Sequence, residues 1–300
     1  MRHPAPRPES LARNFTVRQA MAVGMSRDRL RARDLAHPFV GARAAETPVD
    51  VHGFALALAP LLTAGQYFSH LTAAELNGMR MPEGHGALRV HVTGRDVNRG
   101  MRRPGVLGHK TELPIRILDL GDGLYASSPV DAWCECATLL PVDDLIVMGD
   151  GLIQRKHPLA TLDELTAAVH RRPGRRGAAR LKSVLPQLRA ATDSARETRL
   201  RLLVVRAGVP EPEVNSALVG PNGNVIAHGD LVWPKYRVVL EYDGRQHAES
   251  LAQFSIDIGR LNDIAEARYR IIRVDKSLLT DRHALLAKLR RALTDGGWRP

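Results

Sequence analysis

The chain has 300 residues, enough for about two domains, and its 44% hydrophobic and 25% charged residues are typical of globular proteins and exclude a disordered or fibrous chain. Its 43 lysines and arginines against 32 acidic residues give a net charge of +11, which favours polyanions such as nucleic acid as partners. Two cysteines are too few for a disulfide framework, and the longest apolar run, 54–62, is too short to span a bilayer, so we expect a cytoplasmic protein with no membrane partner.

The first 46 residues have the pattern of a winged helix-turn-helix. Thr16 can cap a helix that ends near Gly24, and Ser26 can cap a second helix. Residues 38–43 are a candidate wing strand. The second helix would present arginines to DNA phosphates, namely Arg27, Arg29 and Arg31. The alternative is a pair of ordinary surface helices, because short amphipathic helices with arginines are common.

Residues 47–169 alternate short apolar runs with glycine and proline breakers. The runs cover 54–62, 88–92, 115–120 and 143–147, which predicts a mixed region of helices and strands. Its histidines, such as His70, His91 and His109, stand far apart in the sequence. A single histidine is more often packed or exposed than a metal ligand, so we predict no catalytic cluster here.

Positive charge is concentrated near the start of the last third. The segment 170–206 holds 11 basic residues and two acidic ones. We interpret 170–192 as a basic linker that binds DNA phosphates through Arg171, Arg172, Arg175 and Arg176. The alternative is a solvated linker that binds nothing.

The remaining residues, 193–300, begin with a predicted helix over 194–207. Ser194 and Glu197 have the spacing of a capping box, in which the glutamate only bonds the start of the helix. Glu197 also falls on the same stripe as Leu200, so it can instead point toward whatever the helix packs against. Both interpretations stay open.

Carboxylates follow on the predicted strands. A hairpin is predicted over 214–226, Asp230 lies in a strand over 229–233, and alternation along 237–243 places Glu241 and Asp243 on one face. Such carboxylates repel one another unless a cation lies between them, and Mg²⁺ or Mn²⁺ prefers these oxygen ligands. The alternative is that Glu241 and Asp243 face solvent.

Three other residues complete this predicted site. His247 follows the strand and can act as a general acid or base. Lys235 and Arg260 are candidate contacts to nucleic acid. The metal ligands themselves are predicted to be the three carboxylates on the strands, Asp230, Glu241 and Asp243.

Five segments of this region resemble one protein family. They are Asp193-Ser-Ala-Arg-Glu197, Gly229-Asp-Leu-Val-Trp-Pro, Val239-Leu-Glu-Tyr-Asp-Gly-Arg-Gln-His247, Asp257-Ile-Gly-Arg260 and Arg270-Ile-Ile-Arg-Val274. Together they resemble the domain of unknown function 559, which belongs with the PD-(D/E)XK nucleases. Residues 230–239 are also similar to a strand pair of very-short-patch-repair endonucleases.

This resemblance implies a restriction-endonuclease-like mixed sheet flanked by helices. It also implies that Asp230 is the first metal-binding aspartate, Glu241 the acid of the second motif and Glu197 the helical acid. The chain departs from the pattern at Asp243, which stands where a lysine is usual. Lys235, His247 or a second metal ion would then have to stabilise charge.

A second resemblance lies nearer the N-terminus. Residues 16–44 and the segment Ser69-His-Leu-Thr-Ala-Ala-Glu-Leu-Asn-Gly78 resemble AbiEi-type antitoxins, whose winged helices bind DNA. The expected fold class is therefore α/β (α+β). Our first hypothesis is a metal-dependent DNA endonuclease without an organic cofactor. The alternative is a non-catalytic DNA-binding transcriptional regulator or antitoxin that has kept a degenerate nuclease fold.

Overall fold

The computed structural model describes residues 6–84, 89–95, 100–220, 222–242 and 267–299. Within them the chain forms ten α-helices and three β-sheets, so the mixed α/β (α+β) class is confirmed. The chain divides into two compact units. The first unit comprises Met1–Met148 and Leu159–Pro186, and the second comprises Gly149–Pro158 and Gln187–Pro300. None of the helices in the described ranges combines the length and the apolar character that a bilayer crossing requires.

The first unit opens with strand β1 (Asn14–Thr16), helix α1 (Val17–Ala22) and strand β2 (Ala42–Ala44), which pairs with β1 in an antiparallel ladder. Thr16 caps α1, because its hydroxyl accepts from the Gln19 amide at 3.0 Å while the Gln19 side chain accepts from the Thr16 amide. The predicted first helix is thus confirmed.

The predicted second helix, with Arg27, Arg29 and Arg31 along it, is wrong. Only the single 3-10 turn Arg29–Arg31 forms there, and the chain becomes extended at Ala32. Two side-chain interactions stabilise this turn in place of a longer helix. The Arg43 guanidinium donates to the carbonyl oxygen of Leu30 at 2.7 Å, and Arg29 pairs with Asp34 at 2.7 Å. The predicted wing strand over 38–43 begins only at Ala42.

The rest of the first unit surrounds a five-stranded mixed sheet of order β5-β4-β3-β7-β6. Its elements are α2 (Val51–Leu58), β3 (Gln66–Phe68), α3 (His70–Leu76), β4 (Val90–Arg95), β5 (Val106–Thr111), β6 (Ile117–Asp119), β7 (Tyr125–Ser127), α4 (Pro129–Cys136), the first part of α5 (Val142–Leu152), α6 (Leu162–His170) and α7 (Ala178–Val184). From Gly149 onward, α5 belongs to the second unit. Trp133 of α4 is fully buried, and its indole donates to the carbonyl oxygen of Leu145 at 2.9 Å.

The segment 170–192, expected to be a linker, is folded. It contains α7, whose Leu181 and Val184 are buried, and the boundary between the units falls after Pro186. Two arginines of this segment bond to α4 and to the residues that follow it. Arg172 pairs with Asp131 in the first turn of α4, and Arg180 donates to carbonyl oxygens at its C-terminal end. Arg180 complements the negative C-terminal end of α4, whereas Arg172 is held near the start of α4 by the charge of Asp131.

The second unit is built on a four-stranded sheet of order β11-β10-β9-β8. Its elements are α8 (Ala195–Arg206), β8 (Glu213–Val219), β9 (Val225–Trp233), β10 (Val238–Tyr242), β11 (Arg270–Val274), α9 (Lys276–Thr280) and α10 (Arg282–Asp295). Strands β8, β9 and β10 are antiparallel, and β11 runs parallel to β10. Among the described helices, α8 and α10 both pack on the face that carries Leu231 and Leu240.

In the second unit, the sequence-based prediction divided one strand into two. The segments 224–226 and 229–233, predicted as separate strands, form the single strand β9. At Gly229 a Cβ atom would lie 2.5 Å from Cγ1 of Val239 on β10. The missing side chain lets the two strands pair closely beside Asp230.

Candidate functional site

Three histidine side chains converge in the first unit. His70 is the first residue of α3, His91 lies on β4 and His109 lies on β5. Nδ1 of His91 is 3.0 Å from Nε2 of His109, and the ring centroids of His70 and His109 are 3.9 Å apart. One ring nitrogen from each of the three lies within 4.8 Å of the other two.

Strand pairing explains why residues so distant in sequence meet. Strands β4 and β5 run parallel, with His109 opposite Thr93, so His91 and His109 lie on neighbouring strands. The start of α3 is tied to β4 by two bonds. The Ser69 amide donates to the His91 carbonyl oxygen at 3.1 Å, and the His91 amide donates to the Thr72 hydroxyl at 2.8 Å. The pairing of β4 with β5 and these two bonds thereby bring together the backbone positions of the three histidines.

Glu135 of α4 holds His70 in an unusual backbone conformation. His70 has a φ of +51°, which is rare for residues other than glycine, and its amide donates to Oε2 of Glu135 at 3.1 Å. The Ser127 hydroxyl donates to the same oxygen at 2.8 Å. Burial raises the pKa of Glu135 to about 7. Strain of this kind persists only where surrounding bonds maintain it, and it is concentrated at functional sites.

The three imidazoles are neutral near pH 7. Burial, with repulsion from His109, lowers the pKa of His91 to about 4, and burial lowers the pKa values of His70 and His109 as well. A neutral imidazole keeps a lone pair on one ring nitrogen. The cluster can therefore accept hydrogen bonds or bind a metal ion.

A cavity of about 590 Å³ adjoins this cluster, and His70, His109 and Glu135 contribute to its wall. Four cationic side chains also line it, namely Lys110, Arg172, Arg175 and Arg176. The cavity thus combines ring nitrogens with an excess of positive charge over its acidic residues, Glu112 and Glu135. Such a lining suits an anionic ligand.

The arginines predicted to bind nucleic acid differ in their surroundings. Arg171, Arg175 and Arg176 are exposed, whereas Arg172 is buried and its Nη2 lies 2.7 Å from Oδ1 of Asp131. The other predicted contacts that the structure describes are Arg27, Arg31 and Lys235, all exposed, and Arg29, which pairs with Asp34. Arg260 lies outside the described residues.

In the second unit, the described part of the predicted acidic site lies on β9 and β10. Leu231 pairs with Leu240, which sets Asp230 and Glu241 beside each other at the ends of the ladder. Alternation along β10 puts Glu241 on the face of Val239, opposite the face that α8 covers, and both acids are half-buried.

One carboxylate of this pair is fixed by the backbone. Oδ2 of Asp230 accepts from the Tyr242 amide at 2.8 Å. Asp243 and His247, the other predicted members of the site, lie outside the described residues.

Glu197 bonds the start of α8, although its carboxylate accepts from the residue before the N-cap Ser194 and not from the Ser194 amide of a capping box. Its Oε2 accepts from the Asp193 amide and from Nδ2 of Asn215, each at 2.8 Å, while its own amide donates to the Ser194 hydroxyl at 3.1 Å. Asn215 lies on β8, between the residues that pair with Gly229 and Leu231. Glu197 thus links the start of α8 to the strand next to Asp230.

The histidines are the site that the sequence did not reveal. Among the residues that the structure describes, they are the one group in which three metal-binding side chains converge, and the carboxylates at 197, 230 and 241 form no such group. Intervals of 21 and 18 residues have no meaning within one helix or strand. Only the parallel pairing of β4 with β5 could have indicated the cluster.

Comparison with known proteins gives two partial relatives and no family. No family model and no solved structure matches the chain. Two proteins of Mycobacterium tuberculosis, described as the uncharacterized proteins Rv2248 and MT2308, are each 28% identical to it over 131 residues. The aligned part is 40% of this chain and 48% of each relative, so the chain spans about half the length of the curated relatives that it matches.

Proposed function

We propose that the second unit is a metal-dependent DNA endonuclease that hydrolyses phosphodiester bonds with Mg²⁺ or Mn²⁺ at Asp230 and Glu241. The observation that carries this proposal is the position of these two acids beside each other on neighbouring strands. Two carboxylates in that arrangement repel unless a cation lies between them. Their oxygens are the ligands that Mg²⁺ prefers, so the residues fit the ion.

Chain order and charge give further support. The described part of the second unit has, in chain order, a helix, three antiparallel strands and a strand parallel to the third, in keeping with the nuclease resemblance of its sequence. The net charge of +11 favours a polyanionic substrate. Lys235 is exposed just before β10 and can contact a phosphate.

Each residue of the proposed site would have a separate role in phosphodiester hydrolysis. Asp230, whose Oδ2 is fixed by the Tyr242 amide, and Glu241 would hold the ion. A divalent ion there supplies a water of lowered pKa and neutralises charge on the phosphate. Glu197 would position the strands through Asn215. Asp243 and His247 stay predicted as a further ligand and a proton carrier.

The test is cleavage of DNA by the purified full chain with Mg²⁺ or Mn²⁺, on supercoiled, linear and single-stranded substrates. We expect metal-dependent cleavage that is abolished in Asp230→Asn and Glu241→Gln. The matched control is Asp295→Asn. Asp295 is an exposed carboxylate that pairs with Arg270, and Arg270 begins β11 at the end far from Glu241. Absence of cleavage by the wild type, or equal cleavage by Asp230→Asn, would overturn the proposal.

The second candidate is a DNA-binding transcriptional regulator or antitoxin that has kept a nuclease-like unit without catalysis. It is favoured by the engagement of Glu197 in bonds at the start of α8 and by Asp243 at the position of the usual lysine. DNA binding that survives Glu241→Gln, together with no cleavage at any metal concentration, would support it over the first.

A further inference from the structure

We propose that His70, His91 and His109 form a binding site in the first unit for a divalent transition metal such as zinc, with one exchangeable position that takes an anionic oxygen ligand such as phosphate. The site is separate in sequence from the acids at 230 and 241, and it does not depend on the proposed nuclease activity. Its ligands come from α3, β4 and β5, all within one unit.

The spacing of the ring nitrogens fits such an ion. Zinc binds histidine nitrogen at about 2.0–2.1 Å in a tetrahedral arrangement, which sets neighbouring ligand atoms about 3.3 Å apart. Nδ1 of His91 and Nε2 of His109 are 3.0 Å apart, and a nitrogen of His70 lies within 4.8 Å of both. The rings are stacked, so ligation would require rotation about their side-chain bonds.

The surroundings of His70 match those of a metal ligand. Its Nδ1 lies 2.9 Å from the Ser69 hydroxyl, which leaves Nε2 for an ion, and a second partner of this kind commonly orients ligating histidines. Glu135 fixes its backbone amide and maintains the φ of +51°.

The cavity indicates what the open position would bind. Three protein ligands leave the fourth position of a tetrahedral ion for water or a ligand, and His70 and His109 both line the cavity. Lys110, Arg175 and Arg176 line it as well. A phosphate oxygen on the ion would bring negative charge among these cations, and it would offset their repulsion of the ion.

The test is titration of the metal-free full chain with Co²⁺, whose visible absorption reports nitrogen ligands, with excess Mg²⁺ present to occupy the carboxylates. We expect one Co²⁺ per chain and displacement by Zn²⁺. In His91→Ala and His109→Asn the signal should be lost. The matched control is His52→Ala, because His52 is an exposed histidine of the same unit. Ser69→Ala should weaken binding by about 10–100-fold, as loss of an outer partner does.

Circular dichroism and thermal unfolding of each metal-free variant show whether it is folded, and only folded variants are compared. The proposal is overturned if the wild type takes up no Co²⁺ or Zn²⁺, or if folded His109→Asn binds the ion as tightly as the wild type. Inorganic phosphate should shift the Co²⁺ absorption of the wild type, and the shift should be smaller in Arg175→Ala/Arg176→Ala. An absorption spectrum that phosphate leaves unchanged would overturn the proposal that the open position of the ion binds an anionic oxygen ligand.

Discussion

Arg201 of α8 and Asp150 form a buried ion pair within the second unit, with Nη2 of the arginine 3.0 Å from Oδ2 of the aspartate and at most 2% of either side chain exposed. Thr198 donates to the same oxygen, and the Arg189 amide donates to Oδ1. Burial raises the pKa of Asp150, and the charge of Arg201 opposes that rise. The pair joins Gly149–Pro158 to the rest of the second unit.

We predict that Asp150→Ala lowers the free energy of unfolding of the second unit by about 3–5 kcal/mol, because it leaves the Arg201 charge buried without its partner. Urea unfolding followed by circular dichroism measures the loss. The control is Arg155→Ala. It breaks an exposed pair with Asp193, in which 49% of the arginine side chain is accessible, and should cost less than about 1 kcal/mol.

The double variant Asp150→Leu/Arg201→Met separates charge from packing. It should be more stable than Asp150→Ala, since two apolar side chains leave no buried charge. Equal losses for Asp150→Ala and Arg155→Ala would contradict the assigned role of the pair.

We predict that Gly229→Ala destabilises the sheet of the second unit by about 1–3 kcal/mol through overpacking. The new Cβ would lie 2.5 Å from a methyl group of Val239 and 3.0 Å from one of Val232, and valine side chains are stiff. Thermal unfolding measures the effect. Val239→Ala added to Gly229→Ala should cost less than the sum of the two single changes, and simple additivity would contradict the steric cause.

The elements of the second unit could be predicted because their signals are local. Ser194 caps α8 as expected, and β10 covers Val238–Tyr242 of the segment 237–243 whose alternation was predicted. The capping interpretation of Glu197 could also be made from spacing alone. What spacing could not distinguish is whether its carboxylate bonds only the helix start or also Asn215, which lies 18 residues later.

The first unit was harder because its decisive interactions are not local. Arg43 holds the turn at Leu30 from 13 residues away, and this bond replaces the predicted helix. Arg172 was expected to face phosphate, yet it pairs with Asp131, 41 residues earlier. The three histidines also meet through distant contacts, namely the pairing of β4 with β5 and the bonds that tie the start of α3 to β4.

We predict that neither cysteine reacts with a thiol reagent in the folded protein near neutral pH. Burial raises the pKa of Cys134 to about 12, and it raises the pKa of Cys136 as well, so almost no thiolate is present to react. Both thiols should react promptly in concentrated guanidinium chloride, as counted with a chromogenic disulfide. Rapid labelling of one thiol before unfolding would contradict the burial of that residue.

The roles of Glu197 and Asp230 can be separated by comparing stability with cleavage. We expect Glu197→Ala to lower the free energy of unfolding by about 1–2 kcal/mol, because the Asp193 amide and the Asn215 side chain lose their acceptor. Glu197→Gln keeps an acceptor oxygen and should retain most of the stability and most of the cleavage. Asp230→Asn should remain folded and inactive, since it removes a charge from the proposed ion. If Glu197→Gln were as stable as the wild type but as inactive as Asp230→Asn, then Glu197 would act through its charge on the ion and not through the helix start.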